Sequence, residues 1–235
     1  MKTLKCILII VCFLSIKSFS QGEKRGNLAN YYKQPLHFGF TLGVNKSNFI
    51  IKNVAHFERF DSLKRVESSS KFGFNLGIVS ELRLHDYIVL RFIPNLSFAE
   101  RNLNYYFEGF DTIVRTKKVE STFINVPFDL KLRSKRVGNF AAHIVAGGGY
   151  SLDLASKRKV VNTVPGEEIV KLKRDDFFIE GGIGTEFFLE YFKFGIELKV
   201  SRGMKNLLIK DNTIYSNSID KINSKIFLIS LTFEG

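Results

Sequence analysis

The residues of this 235-residue chain that could do chemistry are ionisable side chains set one at a time among apolar neighbours. Four histidines occur, His37, His56, His85 and His143. No two are spaced i, i+4 and no H-E-x-x-H string is present, so the sequence offers no zinc motif. Gly147-Gly148-Gly149 is not followed by Lys and Ser/Thr, so it does not make a phosphate-cradling loop. Gly182 and Gly184 leave a dinucleotide fingerprint incomplete. His143 with Ser151 or Glu180 has the residue types for hydrolysis, but His143 lies mid-run, away from the rim where a membrane enzyme would work. No catalytic, cofactor-binding or metal-binding residue is expected. What remains is a set of mixed sign: Glu81, Arg83, Arg91, Asp129, Lys131, Glu180, Glu186, Glu197 and Lys199. Such a set forms either a paired polar plug or a transport path, and its mixed charges favour the plug.

The elements that position these residues have a period of 2 almost throughout. Leu36, Phe38, Phe40, Leu42 and Val44 share one face, and His37, Gly39, Thr41, Gly43 and Asn45 the other. The same alternation recurs around Phe72–Ile78, Ile88–Phe98, Thr122–Leu132, Phe140–Tyr150, Phe177–Phe187, Phe192–Val200 and Phe227–Phe233. Pro94 falls within the third run, where an irregularity is expected. The chain therefore reads as eight strands. Long polar connections (46–70, 100–118, 153–174, 203–222) alternate with short turns (83–87, 133–138, 189–191). That is the pattern of an antiparallel up-and-down transmembrane β-barrel with long extracellular loops and short periplasmic turns.

The N-terminus supplies the compartment. Lys2 and Lys5 precede an apolar stretch, Cys6 to Ile16, that is too short to span a bilayer as a helix. Ser18 and Ser20 suit a signal-peptidase site, with cleavage between Ser20 and Gln21; an uncleaved anchor is the lesser alternative. The expected organisation is a signal peptide at 1–20, a periplasmic segment at 21–35 and a barrel at 36–235. Removing Lys2, Lys5 and Lys17 lowers the formal charge from +12 to +9 and takes both cysteines with it. The exported chain then has no disulfide and no thiolate chemistry. Its 45% hydrophobic content excludes a disordered protein.

Period 2 fits a membrane barrel with its apolar face outward and also a soluble carrier with its apolar face inward. The polar face favours the membrane. It carries nine glycines together with the charged set, and glycine weakens a strand exposed to water. Five outward residues span roughly 30 Å of strand at ~3.3 Å per residue. A tilt of ~40° reduces that to about 23 Å, close to the ~25 Å apolar band. Aromatic residues collect near the strand ends: Tyr87, Phe140, Tyr191, Phe192 and Phe233 on the turn side, and Phe98, Tyr105, Tyr150 and Phe177 on the loop side. An eight-stranded barrel is filled by its own side chains, so no pore is expected. The expected surroundings are outer-membrane lipid and lipopolysaccharide, which basic loop clusters such as Lys64-Arg65, Lys117-Lys118 and Lys157-Arg158-Lys159 would meet unless they are simply solvated. Nucleic acid and a small-molecule substrate are not expected.

Four segments, 35–45, 73–103, 119–136 and 186–208, resemble the PorT/SprT proteins of Bacteroidota, and they fall in the family's order. The most specific part is the string through Arg83, Arg91, Pro94 and Arg101. This chain has Arg91-Phe92-Ile93-Pro94-Asn95 where the family usually has Arg-Phe-Glu-Pro-Gly. The resemblance implies a non-enzymatic outer-membrane barrel required for type IX protein secretion and, in gliding species, for motility. Its partners would be other type IX components, and its role that of an assembly aid or accessory subunit. It also implies possible O-glycosylation at Asp61-Ser62-Leu63 and Asp111-Thr112-Ile113. The alternative is a stand-alone structural or adhesin-like barrel.

Overall fold

The computed structural model describes residues 26–54, 63–108, 113–156, 168–211 and 213–235. The expected signal peptide with Ser20 and Gln21, His56, the Lys157-Arg158-Lys159 cluster and both expected glycosylation serine/threonine positions lie outside the described residues.

The alternating runs become strands β1 (Leu36–Asn53), β2 (Leu63–Arg83), β3 (Ile88–Phe92), β4 (Asn95–Phe107), β5 (Ile113–Arg133), β6 (Phe140–Asp153), β7 (Asp175–Phe188), β8 (Lys193–Gly203) and β9 (Ile219–Glu234). All pairings are antiparallel, and β9 returns to β1 from Gly39↔Glu234 to Asn53↔Ile219, which closes the sheet. β3 and β4 are two halves of one barrel strand, since both run between β2 and β5. The ring therefore has eight members. Short turns join the strands at the end where β1 begins and β9 finishes. The turn between β5 and β6 has Gly138 at φ +62°, a left-handed conformation that glycine adopts without steric cost, and Val137 and Phe140 exchange backbone hydrogen bonds of 2.9 and 3.1 Å across it.

Pro94 splits the third strand because it has no N–H to donate, but its carbonyl still accepts from Ile78 N at 3.1 Å. The register is unbroken across it: Ser80↔Phe92 and Gly77↔Asn95 are in step. The first register shift above it lies between Ser70 and Phe74 of β2, where three residues oppose two on β4. It reverses which parity of β2 points inward, so Glu81 and Asn75 are buried below the bulge and Val66 above it.

On the lower half the outward residues are large, apolar and exposed, including Phe38, Phe40, Leu42, Phe74, Ile78, Phe128, Ile183, Leu198 and Ile229. A belt this continuous is incompatible with water and requires hydrocarbon around it, which removes the apolar-inward alternative. Cross-strand rings stack along it, Phe40 on Phe233 at 4.8 Å, Phe74 on Phe98 at 4.5 Å and Phe92 on Phe128 at 4.7 Å. Such pairs contribute about 0.5–1.5 kcal/mol each beyond area burial.

The strands also run well past the membrane band, into most of what the sequence suggested as loops at 46–70 and 100–118. The β4–β5 ladder continues to Phe107↔Ile113. Up there the polarity inverts. The outward face of β1 becomes Lys46, Asn48 and Lys52, while its inward face passes from Asn45 and Ser47 to the buried Phe49. Phe49, Leu63, Val66, Leu103, Tyr105, Leu207, Tyr215 and Ile222 form an apolar core inside this crown. Tyr105, expected in the outer girdle, is fully buried here because its parity faces inward. In lipid the barrel is apolar outside and polar inside; in water above the membrane it is the reverse.

The alternation can be tested directly, since the described chain contains no cysteine. A fluorophore on Cys at position 229 should be quenched by lipid-borne nitroxides, and one at position 230 should not. Ile229→Arg, at mid-band, should cost about 2–4 kcal/mol of folding free energy in bilayers, read by denaturant titration.

Candidate functional site

The membrane-level lumen holds a buried ion network. Lys193 Nζ lies among three carboxylates, 2.8 Å from Glu81, 3.0 Å from Glu186 and 2.7 Å from Glu234. Arg91 reaches Glu81 at 2.8 Å and Glu197 at 2.6 Å, with Glu234 at 3.8 Å. Lys131 pairs with Glu81 at 2.7 Å and with Glu186. Lys199 links Glu180 at 3.1 Å, Asp129 at 3.4 Å and Glu197 at 3.6 Å. His143 Nε2 lies 2.9 Å from the same Glu197 carboxylate. Each cation comes from one strand and reaches carboxylates on others, so with His143 the network ties the lumen together across β2, β3, β5, β6, β7, β8 and β9.

Glycines make the room for it. A Cβ at Gly184 would overlap the His143 ring, and one at Gly182 would collide with Lys199. The glycine-rich polar face is therefore a packing device for long charged side chains in a narrow tube. Glu81, Glu186 and Glu234 come close enough to hold a metal ion, but the Lys193 ammonium already sits among them as the counter-cation.

The turn end of the lumen is closed by residues ahead of β1. A 3-10 turn, Tyr31–Lys33, brings Tyr31 into the opening. Its ring stacks on His37 at 3.7 Å, its hydroxyl donates to Glu234 at 3.3 Å, and Lys193 Nζ lies 5.0 Å from the ring centre. Phe188 packs beside it, with the Arg136 guanidinium 3.9 Å from the Phe188 ring.

The crown end is closed differently. A one-turn helix, α1 (Ile214–Asn217), drops Tyr215 into the mouth, where Tyr105 Oη donates to its carbonyl at 3.0 Å. Thr213 caps the helix by accepting from Ser216 N at 3.2 Å. Asp211 supports the cap. Partial burial opposes its charge, but hydrogen bonds from Ser216 and Thr213 and the nearby Lys171 ammonium hold its carboxyl below the usual range.

Of the residues expected from sequence, Glu81, Arg91, Asp129, Lys131, Glu180, Glu186, Glu197 and Lys199 lie in this network. Arg83 does not join it. It sits at the turn end, partly exposed and 4.0 Å from Asp86. The string Arg83, Arg91, Pro94 and Arg101 does not form one site: its arginines lie at three heights. Arg101 is buried between Phe49 and Phe123, well above Arg91. Lys193, Glu234 and Tyr31 were missed. Lys193 begins a strand and Glu234 is the penultimate residue, so each looked like an end; the inward parity of Ser230 and Thr232 extends to Glu234 and would have flagged it. His143 and Ser151 lie eight residues apart on β6, about 26 Å along a strand, and form no hydrolytic pair.

Two outcomes are expected. Arg91→Met removes the cation shared by Glu81 and Glu197 and leaves the buried network short of one positive charge, which should destabilise the barrel by about 3–5 kcal/mol in denaturant titrations. In planar bilayers the native barrel should show no sustained ionic conductance, because side chains close the lumen at the network and again at the crown.

No curated protein matches the sequence significantly. Among solved structures, Ail, the attachment invasion locus protein of Yersinia pestis, crystallised with the heparin analogue sucrose octasulfate, is 12% identical over 86% of this chain and 100% of its own, with a TM-score of 0.41. Neisserial surface protein A is 9% identical over 83% and 96%, TM-score 0.41. OprG from Pseudomonas aeruginosa is 15% identical over 85% and 94%, TM-score 0.38. These likenesses are too remote to bear on function. A family model described as "Outer membrane protein beta-barrel domain" matches residues 19–208. With its closed ring and apolar belt, the chain belongs to the outer-membrane β-barrel domain family and is a protein of the outer membrane.

Proposed function

We propose that this barrel is a non-enzymatic, non-conducting component of type IX protein secretion, which acts by presenting its surfaces to other components of the machinery. The observation that carries the non-conducting role is the lumen itself, blocked by the Arg91–Glu81–Lys193 network and by the Tyr215 stopper. A barrel without a path must work through its exterior. The assignment to secretion is supported by the PorT/SprT-like segments, which include the Arg91-to-Arg101 stretch.

The exterior offers two surfaces. One is the crown, with Lys52, Lys64, Arg65, Lys118 and Lys173 outward. The other is the upper edge of the apolar belt. There Lys46 lies over Phe72 at 5.7 Å, Lys205 over Phe177 at 4.6 Å and Lys225 over Phe227 at 4.8 Å. Ammonium groups over the outermost lipid-facing rings suit the phosphates of lipopolysaccharide, which supports this reading. A second reading, an adhesin-like barrel, is favoured by the basic crown alone, which suits an anionic glycan.

Deleting the gene and assaying secreted cargo separates the two. Under the secretion reading, cargo is retained in the periplasm and is restored by the native chain. Normal export in the deletion strain, with glycan binding lost when the crown lysines become Gln, would overturn it in favour of adhesion.

A further inference from the structure

Around the upper edge of the apolar belt the outer wall carries charge, and the two signs fall on different sides. On β4 and β5, Glu100 and Glu120 are paired directly in register and face outward. On β8, β9 and β1 the outward charges are Arg202, Lys225 and Lys46.

The register brings these three cations together. Arg202 is paired directly with Lys225 across β8–β9. Lys46 is paired with Phe227 across the β1–β9 seam, which makes it the diagonal neighbour of Lys225. Directly opposed side chains lie about 5 Å apart at Cβ and diagonal ones about 7–8 Å, so all three can meet one ligand. Like charges in these positions repel each other. Nothing on the wall offsets them: among the described residues no carboxylate lies within ion-pair distance of Lys46, Arg202 or Lys225. The acids on the same side, Asp175 and Asp220, are paired with Lys205 and Lys52.

Their height points to the missing partner. Lys46 Nζ lies 5.7 Å from the Phe72 ring centre and Lys225 Nζ 4.8 Å from that of Phe227, and both rings face lipid. Arg202 faces outward between Val200 and Met204, which are exposed apolar side chains, and its partner on β7 is Ile179. A guanidinium rooted there lays its stem along the apolar wall and lifts its head to the first polar layer. In the outer leaflet of an outer membrane that layer is the phosphate groups of lipid A.

We propose that Arg202, Lys225 and Lys46 form a seat for one phosphate of lipid A, the membrane anchor of lipopolysaccharide, bound across the β1–β9 seam. A phosphate monoester carries about −1.5 to −2 of charge near pH 7 and accepts paired hydrogen bonds from Arg, so one group relieves the repulsion among three strands. The seat confines this contact to one side of the barrel and leaves the Glu100–Glu120 side without it. It deepens the lipopolysaccharide contact of the belt edge and rests on the outer-membrane placement, not on the secretion reading, which the cargo assay tests separately.

The test uses the full-length mature barrel refolded in zwitterionic micelles with EDTA, which removes bridging divalent cations. Lipid adducts are counted by native mass spectrometry. The native chain should take up one bisphosphorylated lipid A saturably, and dephosphorylated lipid A at least about tenfold more weakly. The triple variant Lys46→Gln, Arg202→Gln, Lys225→Gln should weaken uptake of the phosphorylated lipid by about tenfold or more. The control Lys52→Gln, Lys64→Gln, Lys118→Gln removes the same charge from the crown and should leave uptake unchanged. Heat-modifiable gel mobility reports folding of both variants, and if the first does not fold, the two lipids compared on the native chain decide the matter. Equal uptake of the two lipids, or equal loss in the two variants, would overturn the proposal and leave only diffuse attraction between a basic protein and an anionic surface. A saturable adduct with inorganic phosphate as strong as that with lipid A would also overturn it, since the seat would then hold a free ion.

Discussion

A sheet in hydrocarbon has no water with which to satisfy an open edge, so the β1–β9 seam is the contact on which the rest depends. Closure from Gly39↔Glu234 upward fixes the circumference at eight strands. That circumference leaves an interior just wide enough for side chains. The outward parity must be apolar and the inward parity must fill a tube. Each further property of the lumen follows: glycines where long charged side chains need room, and cations and carboxylates in mutual contact because neither sign can be buried alone.

The same backbone crosses two solvents, and the inversion of its faces records the crossing. Below, Phe40 and Leu42 face lipid while Thr41 and Glu81 face inward. Above, Lys46 and Lys52 face water while Phe49, Leu103 and Tyr105 pack inside. The crown thus has an ordinary hydrophobic core and is held up without lipid.

The membrane-level strands were legible because one-sided burial imprints a strict alternation. Leu36 to Asn45 and Lys193 to Val200 could be read at sight, with the correct face outward. The crown strands were not, since past Asn45 the apolar signal changes face and weakens, and the hydrogen-bonded ladder that carries β1 on to Asn53 leaves no compositional mark. The bulge at 71–73 was also silent, because it depends on what β4 places opposite. Pro94 signalled an irregularity and produced a strand break, but without a shift in register. Most of the charged plug could be listed, though not Lys193 and Glu234, and its pairings could not. Which carboxylates Lys193 meets depends on registers summed around the ring, and the Tyr31 closure depends on a segment with no periodicity.

The central claim is a closed, filled barrel, and amide hydrogen exchange on the protein refolded in bilayers tests it most directly. The seam amides of β1 and β9, such as those of Leu42, Val44 and Ile229, should be protected as long as those in the middle of the ring, such as Leu130 and Ile183. Fast exchange confined to β1 and β9, with protection elsewhere, would show an open sheet edge and contradict the account.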